Sequence, residues 1–362
     1  MCLLHRKPTP QSFNYISYFI YTCRMRADGK LNTGSLQRIA AAATEHEKRG
    51  YAGLWSSESA HDPFLPLVAA AQSTRRLELG TAIAVAFARS PMTLAYTAWD
   101  LQRYTEGRFT LGLGSQVKPH IERRFSMPWS RPAARMHELV AAIRAIWDSW
   151  QSGSRLSFEG EFYRHTLMTP FFSPGPLPTP APKIVIAAVG EAMCRVAGEV
   201  CDGILLHGFT TERYIREVTL PTVRQGREKA GRSMNGFEVI GLPLTATGTT
   251  EESLATAVRA VRNQIAFYAS TPAYRGVLEL HGWGALGDEL HALSRGDDPG
   301  KWTKMGDAID DEVLNTFAVV GPPDRIAAVL TERFGDLVTR FQFYAPYEHD
   351  IDQWTSVLAG LK

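Results

Sequence analysis

Residues 77–114 read LELGTAIAVAFARSPMTLAYTAWDLQRYTEGRFTLGLG. Two apolar runs, 77–85 and 109–114, enclose a stretch opened by Pro91 and closed before Gly107. Proline at the first helical position and glycine beyond the last are the usual punctuation of a helix. The apolar runs lack inside–outside alternation, so they predict strands buried on both faces, as in a parallel sheet. Strand, helix and strand in that order make one βα unit, and the fold follows from how often the unit recurs.

Working outward, the same alternation continues in both directions. Expected strands cover 30–33, 52–56, 183–188, 203–207, 237–245 and 338–344. Expected helices cover 35–49, 63–74, 132–150, 191–200, 212–230 and 251–268, with a terminal helix after the last strand. Eight units predict an α/β fold, a (β/α)8 TIM barrel, rather than an open sheet. Two stretches interrupt the pattern, one after strand four and one after strand seven. Residues 155–182 hold Pro174, Pro176, Pro178, Pro180 and Pro182, and their alternating start around Gly160 predicts a short hairpin. Residues 270–317 predict a helical insertion before a strand at 317–321. No linker composition divides the chain, so residues 25–362 read as a single domain.

Composition agrees with a folded globular chain: 362 residues, 44% hydrophobic and 21% charged. Thirty-nine basic and 37 acidic residues leave a formal charge of +2 with no basic run, which argues against a nucleic-acid partner. Cys2, Cys23, Cys194 and Cys201 show no ligand spacing, so neither a metal nor a disulfide framework is expected, and a reducing cytoplasm fits. The apolar run 13–23 follows His5, Arg6 and Lys7 but has no small-residue cleavage site and is too short to span a bilayer. Residues 1–24 are therefore expected to be an extension outside the fold, with organised sequence starting at Met25. Trp55, Trp99, Trp129, Trp147 and Trp150 put large apolar groups near strand ends and on helices, and predict burial between two copies of a homodimer.

In such a barrel the chemistry sits on the loops after the strands. Strand two delivers Ser57, Glu58, Ser59, His61 and Asp62, and strand three Ala82 and Ile83, then Arg89. Strand four delivers Ser115, Gln116, Lys118 and His120, strand six His207, and the last strand Tyr344 and Tyr347. His61, His120 and His207 at strand ends suit proton transfer near neutral pH. Each has a second reading: His61 as part of a helix start, His120 as charged surface, His207 as a buried, satisfied side chain. Ala188-Val189-Gly190 precedes a helix, where free N–H groups and the helix dipole favour a phosphate, although an ordinary βα turn has the same sequence look.

The segments AGLWSSESAHDPF, LELGTAIAVAFARSPMTLA, GRFTLGLGSQ and KIVIAAVG with AGEVCDGILLHG resemble the luciferase-like flavin and deazaflavin barrel superfamily, in the same order and spacing. Within it the chain looks most like oxidoreductases that use the deazaflavin coenzyme F420; members using flavin mononucleotide (FMN) share the same motif frame. The resemblance implies a non-proline cis peptide after strand three, here Ala82–Ile83, beneath a tricyclic ring. It implies ring contacts from Gly114, Ser115, Gln116 and His120, and a phosphate cradle at Ala188, Val189 and Gly190. Ser59 and His207 complete the expected cofactor-binding set. Many deazaflavin members carry Asp-His after strand two; this chain has Glu58-Ser59, and His61 stands as the expected proton donor with Glu58 as its support.

The implied activity is hydride transfer between reduced coenzyme F420 and a small organic substrate, with the protein supplying position, dryness and a proton. An FMN-dependent monooxygenase acting with dioxygen is the alternative. A barrel that binds a flavin or deazaflavin without turnover is the third reading.

Overall fold

The computed structural model describes residues 25–31, 34–349 and 351–361; the expected extension at 1–24 lies outside them. Eight parallel strands form the central sheet: β1 (Arg26–Lys30), β2 (Gly53–Ser56), β3 (Glu78–Thr81), β4 (Phe109–Gly114), β5 (Lys183–Ala188), β6 (Gly203–Leu206), β7 (Glu238–Gly241) and β8 (Arg340–Gln342). Each pairs with its sequence neighbour, β1 pairs with β8, and pairing of β3 with β4 closes the ring. The chain is a TIM barrel. Among the described residues, no helix is long and apolar enough to cross a membrane.

Four strands differ from the expected boundaries by more than one residue. β1 lies at Arg26–Lys30 rather than 30–33, because its inward residue is the buried acid Asp28, which erases the apolar signal. The expected strand 77–85 is interrupted at Ala82–Ile83 and resumes at Ala84–Val85, which pairs with β4. The expected strand 237–245 is two strands: after Pro243 the chain leaves the barrel, and Leu244–Thr247 pairs with Ala318–Gly321 in a separate small sheet. β8 keeps only three residues of 338–344. The helix expected at 212–230 contains a π turn at Ile215–Thr219.

After β4 come the helix Pro132–Ser152, a hairpin pairing Phe158–Glu159 with Arg164–His165, and the proline-rich return. After β7 come the helix Glu251–Ala269, the short helices through Phe317, and Pro323–Phe334. Four of the five tryptophans expected between subunits are interior, and Trp129 is half-buried. Trp99, Trp147 and Trp150 pack together between the helices Pro91–Tyr104 and Pro132–Ser152, each at most 1% exposed, and Trp55 lies inside the barrel.

The N-terminal end of the barrel is closed by charge. Arg340, fully buried, donates through Nε and Nη2 to the two Asp28 carboxylate oxygens at 2.6 and 2.7 Å, and through Nη1 to Glu78. Trp55 donates its indole N–H to Asp28 at 2.8 Å, and its ring lies under the guanidinium. Glu238 joins from β7, bonded to Lys183 at 2.7 Å. Burial opposes charge on Arg340, but Asp28, Glu78 and Glu238 outweigh it and hold the guanidinium above its ordinary pKa. Gly53 makes the room: a Cβ there would stand 2.5 Å from Arg340 Nη2.

Removing one member of a buried ion pair strands the other, at a cost of about 3–5 kcal/mol. Arg340→Met is therefore expected to lower the stability measured by chemical denaturation by that amount. Arg340→Met with Asp28→Leu should recover most of it; a single variant losing under about 1 kcal/mol would show that the pair is not the seal of the barrel.

Candidate active site

At the opposite end, the barrel interior stops at a layer of Trp55, Val185, Leu205 and Ile240, on which Ala82, Ile83 and Ala187 rest half-buried. The Ala82–Ile83 peptide is cis. β2 and the loop after it grip the bond from both sides: Ala82 N–H donates to Ser56 O at 2.7 Å, and Glu58 N–H donates to Ile83 O at 3.0 Å. Thr81 Oγ1 donates to Gly112 O at 2.6 Å and accepts from Gly112 N–H at 2.9 Å, tying β3 to β4. Gly114 lets Ile83 lie directly on its backbone, since a Cβ there would stand 2.7 Å from Ile83 Cγ1. The result is a low floor of small and branched apolar groups. Beside it, Ser56 Oγ is buried without a hydrogen-bond partner among the described residues.

Glu58 serves this floor rather than His61. Its carboxylate accepts from Val85 N–H at 2.7 Å and from Arg89 at 2.6 Å, with the side chain only 6% exposed. Arg89 also reaches Asp62 at 3.2 Å, and Asp62 Oδ1 caps the next helix through Phe64 and Leu65 N–H. No hydrogen bond joins Glu58 to His61, so the expected support of that imidazole is absent among the described residues. Ser59 and His61 are exposed on the loop above, where Arg124 donates to Ser59 O and bridges the loops after β2 and β4. Gln116 has φ +59°, and its Oε1 accepts the neighbouring Val117 N–H at 3.0 Å. His120 is exposed at the start of the π turn that carries Arg124.

The loop after β5 has the form expected of an anion site. Gly190 precedes the helix Glu191–Val200, and the N–H groups of Met193 and Cys194 already bond to Gly190 O. The earlier N–H groups of a helix have no intrahelical acceptor. A Cβ at Gly190 would meet nothing within 4 Å, so the approach from outside is open. Glu191 sits in the first turn, favourable to the dipole and adverse to a bound anion.

The far wall was only half legible. His207 stacks on Tyr274 with centroids 4.5 Å apart and meets Tyr268 edge-on at 4.6 Å. Its Nδ1 accepts Phe209 N–H at 3.0 Å, which assigns the proton to Nε2, 3.2 Å from the Tyr274 hydroxyl. Tyr268 and Tyr344 hydroxyls lie 2.7 Å apart. Tyr344 follows β8 as expected, whereas Tyr268 and Tyr274 come from the excursion after β7, where spacing gave no reason to single them out. Among the described residues, neither His61 nor His120 forms a hydrogen bond or ring contact with His207. An open groove of about 900 Å³ lies elsewhere, lined by Arg213, Arg216 and Arg333, whose charges are already met by Glu217, Asp336 and Glu212.

Burial pushes the His207 imidazole down to about 4, so it is neutral at pH 7 and does not titrate near neutrality as the sequence suggested. A histidine held neutral stabilises the fold above its unfolded pKa, and that contribution is lost as pH falls toward the folded value. The loss between pH 7 and pH 5 amounts to about 2 kcal/mol. His207→Phe is expected to flatten the fall in urea midpoint over this interval; an unchanged slope would place the proton uptake elsewhere.

The model of the luciferase-like monooxygenase family matches residues 18–340. An uncharacterised protein of Mycobacterium tuberculosis is 55% identical over 317 residues, 88% of this chain and 92% of its own length. The 5,10-methylenetetrahydromethanopterin reductase of Archaeoglobus fulgidus is 28% identical over 265 residues, 72% of this chain and 75% of its own. The solved coenzyme F420 dependent tetrahydromethanopterin reductase of Methanopyrus kandleri has a TM-score of 0.74 at 18% identity, covering 93% of this chain and 97% of that one. At that identity the likeness is one of fold, and the family rests on the sequence matches. A closed barrel with a cis peptide after β3, together with those matches, makes the chain a member of the luciferase-like monooxygenase family.

Proposed function

We propose that the protein is a cytoplasmic oxidoreductase that takes coenzyme F420 at the barrel mouth and moves a hydride between it and a small organic substrate. The observation that carries this reading is the apolar floor of Ala82, Ile83 and Ala187, with Ile83 packed directly on the backbone of Gly114. A flat hydrophobic seat gripped from β2, β3 and β4 suits a planar tricyclic ring. The Archaeoglobus reductase supports the choice of chemistry, and the Methanopyrus reductase, which shares the fold, depends on coenzyme F420. When bound, a reduced deazaflavin supplies the hydride.

The chain's own groups then divide the work. Ala82, Ile83 and Gly114 seat the ring; Ser59, Ser115, Gln116, His120 and His207 border it. Ala188, Val189 and Gly190 offer N–H groups to the phosphate, and His61 donates the proton from the exposed loop after β2. Self-association as a homodimer belongs to the same reading. It draws on exposed apolar groups, Leu65 and Val68 on one helix and Phe171 and Phe172 beyond the hairpin, and not on the tryptophans.

Fluorescence titration of the purified protein is expected to show tighter binding of coenzyme F420 than of FMN; the opposite order would favour the monooxygenase reading. His61→Ala should leave that binding nearly intact and lower turnover about 10²–10⁴-fold, the usual contribution of a general acid. His120→Ala should weaken binding instead. Normal turnover by His61→Ala would remove it from the mechanism.

Gly190 has φ −78°, which a proline ring accepts, so Gly190→Pro removes the N–H without forcing the backbone. It is expected to weaken FMN binding while leaving riboflavin, which lacks the phosphate, nearly unchanged. Equal losses for the two would show general damage.

A further inference from the structure

The hydroxyls of Tyr268, Tyr274 and Tyr344 are polar groups of the mouth that no expected cofactor contact uses. Each phenol has one proton to give. The Tyr268 and Tyr344 oxygens are 2.7 Å apart, so one donates to the other and the second proton has no acceptor among the described residues. Tyr274 accepts from His207 Nε2–H at 3.2 Å, because Nδ1 is occupied by the Phe209 N–H. The Tyr274 proton likewise has no acceptor among the described residues. Two phenol protons are thus left over on one cluster, with the Tyr268 and Tyr274 ring centroids 5.7 Å apart.

Position matters as much as the count. Tyr344 follows β8, and Tyr268 and Tyr274 reach the mouth from the excursion after β7, whereas the apolar floor belongs to β3 and its neighbours. In an eight-stranded ring β3 and β7 face each other. Phe209 and His207 line the same wall with aromatic surface, Phe209 lying 5.8 Å from Tyr274 and 6.1 Å from Tyr268. Among the described residues, no carboxylate and no cationic side chain hydrogen-bonds to the three hydroxyls. Burial raises all three phenols, Tyr274 to about 12, so they stay protonated and act as donors through the neutral range.

We propose that the Tyr268–Tyr344 pair and Tyr274 form a substrate subsite for an oxygen acceptor on a planar, conjugated molecule: an unsaturated carbonyl compound, or the enolate or phenolate form of one. His207 is a positioning residue, fixing the Tyr274 oxygen and leaving its proton free. The assignment rests on the barrel mouth being the catalytic site, and it gives that site a substrate class.

The test uses 4-nitrophenolate as probe, followed by its absorbance, against the intact protein. Tyr274→Phe and the double variant Tyr268→Phe/Tyr344→Phe should each weaken the probe roughly tenfold or more, as expected for a hydrogen bond to a charged oxygen. Binding of 4-nitroanisole, which lacks the anionic oxygen, should barely change, and matching thermal melts show that the variants fold. Probe affinity equal in wild type and both variants overturns the subsite. The same variants are titrated with coenzyme F420 and FMN. A parallel loss of cofactor affinity would assign the hydroxyls to the cofactor and overturn the substrate assignment. A wild type that binds neither cofactor but holds the probe through the tyrosines would sink the deazaflavin reading and leave the subsite standing.

Discussion

Arg340 carries a full positive charge in a place no water reaches, and the barrel is built around keeping it there. Its partners come from different strands: Asp28 from β1, Glu78 from β3 and, at the edge, Glu238 from β7. A one-residue slip of any of these strands would turn its carboxylate from the interior to the helix side, because successive side chains alternate faces. The guanidinium therefore fixes register across strands that are not neighbours in sequence, as hydrophobic burial alone does not. Such a group is expensive to desolvate, and well-packed apolar residues are often as stable in its place. Its use here is specificity of closure: the ring shuts with one relative alignment of β1, β3 and β8. The layer of Trp55, Val185, Leu205 and Ile240 above it inherits that alignment, and the mouth rests on that layer.

A second ionic knot plays the same part at the mouth. Glu58 holds Val85 N–H and Arg89, and Arg89 reaches Asp62, whose other oxygen caps the following helix. One carboxylate thereby couples the end of β2, the strand resuming at Ala84 and the start of the helix at Leu65. The floor at Ala82 and Ile83 lies inside this triangle. A residue expected from its position to assist an imidazole turns out to brace the seat through one carboxylate oxygen, Oε2, which holds both Val85 N–H and Arg89.

The sequence made the barrel legible through repetition: eight alternations survive an error in any one boundary. The boundaries failed where a strand buries polar groups, as at Asp28 and Arg340, since a period of hydrophobicity cannot show a charge neutralised by a partner more than 300 residues away. They failed also where the chain leaves the sheet after Pro243, because a second strand continues the first one's composition. The site was legible where it consists of backbone. Ala82–Ile83, Gly114 and Gly190 lie at strand ends, which the barrel repeat locates, and the family resemblance implied what they would contact. It was not legible where side chains arrive from the excursion after β7, for Tyr268 and Tyr274 sit in helical sequence that reads as ordinary core.

That division has a physical logic. The β2–β5 side of the mouth offers small side chains, main-chain N–H groups and a flat apolar surface, features fixed by strand geometry and slow to change with sequence. Such a surface suits whatever every member must bind. The β6–β8 side offers phenols and an imidazole, held by ring stacking and by single hydrogen bonds from an excursion outside the barrel repeat. Exchange of one of those side chains alters which donors face the ligand without touching Arg340 or the floor. A barrel sealed at one end by charge and braced at the other by Glu58 can therefore keep its seat while its opposite wall is rebuilt, so selectivity in this chain is to be read on the tyrosine side.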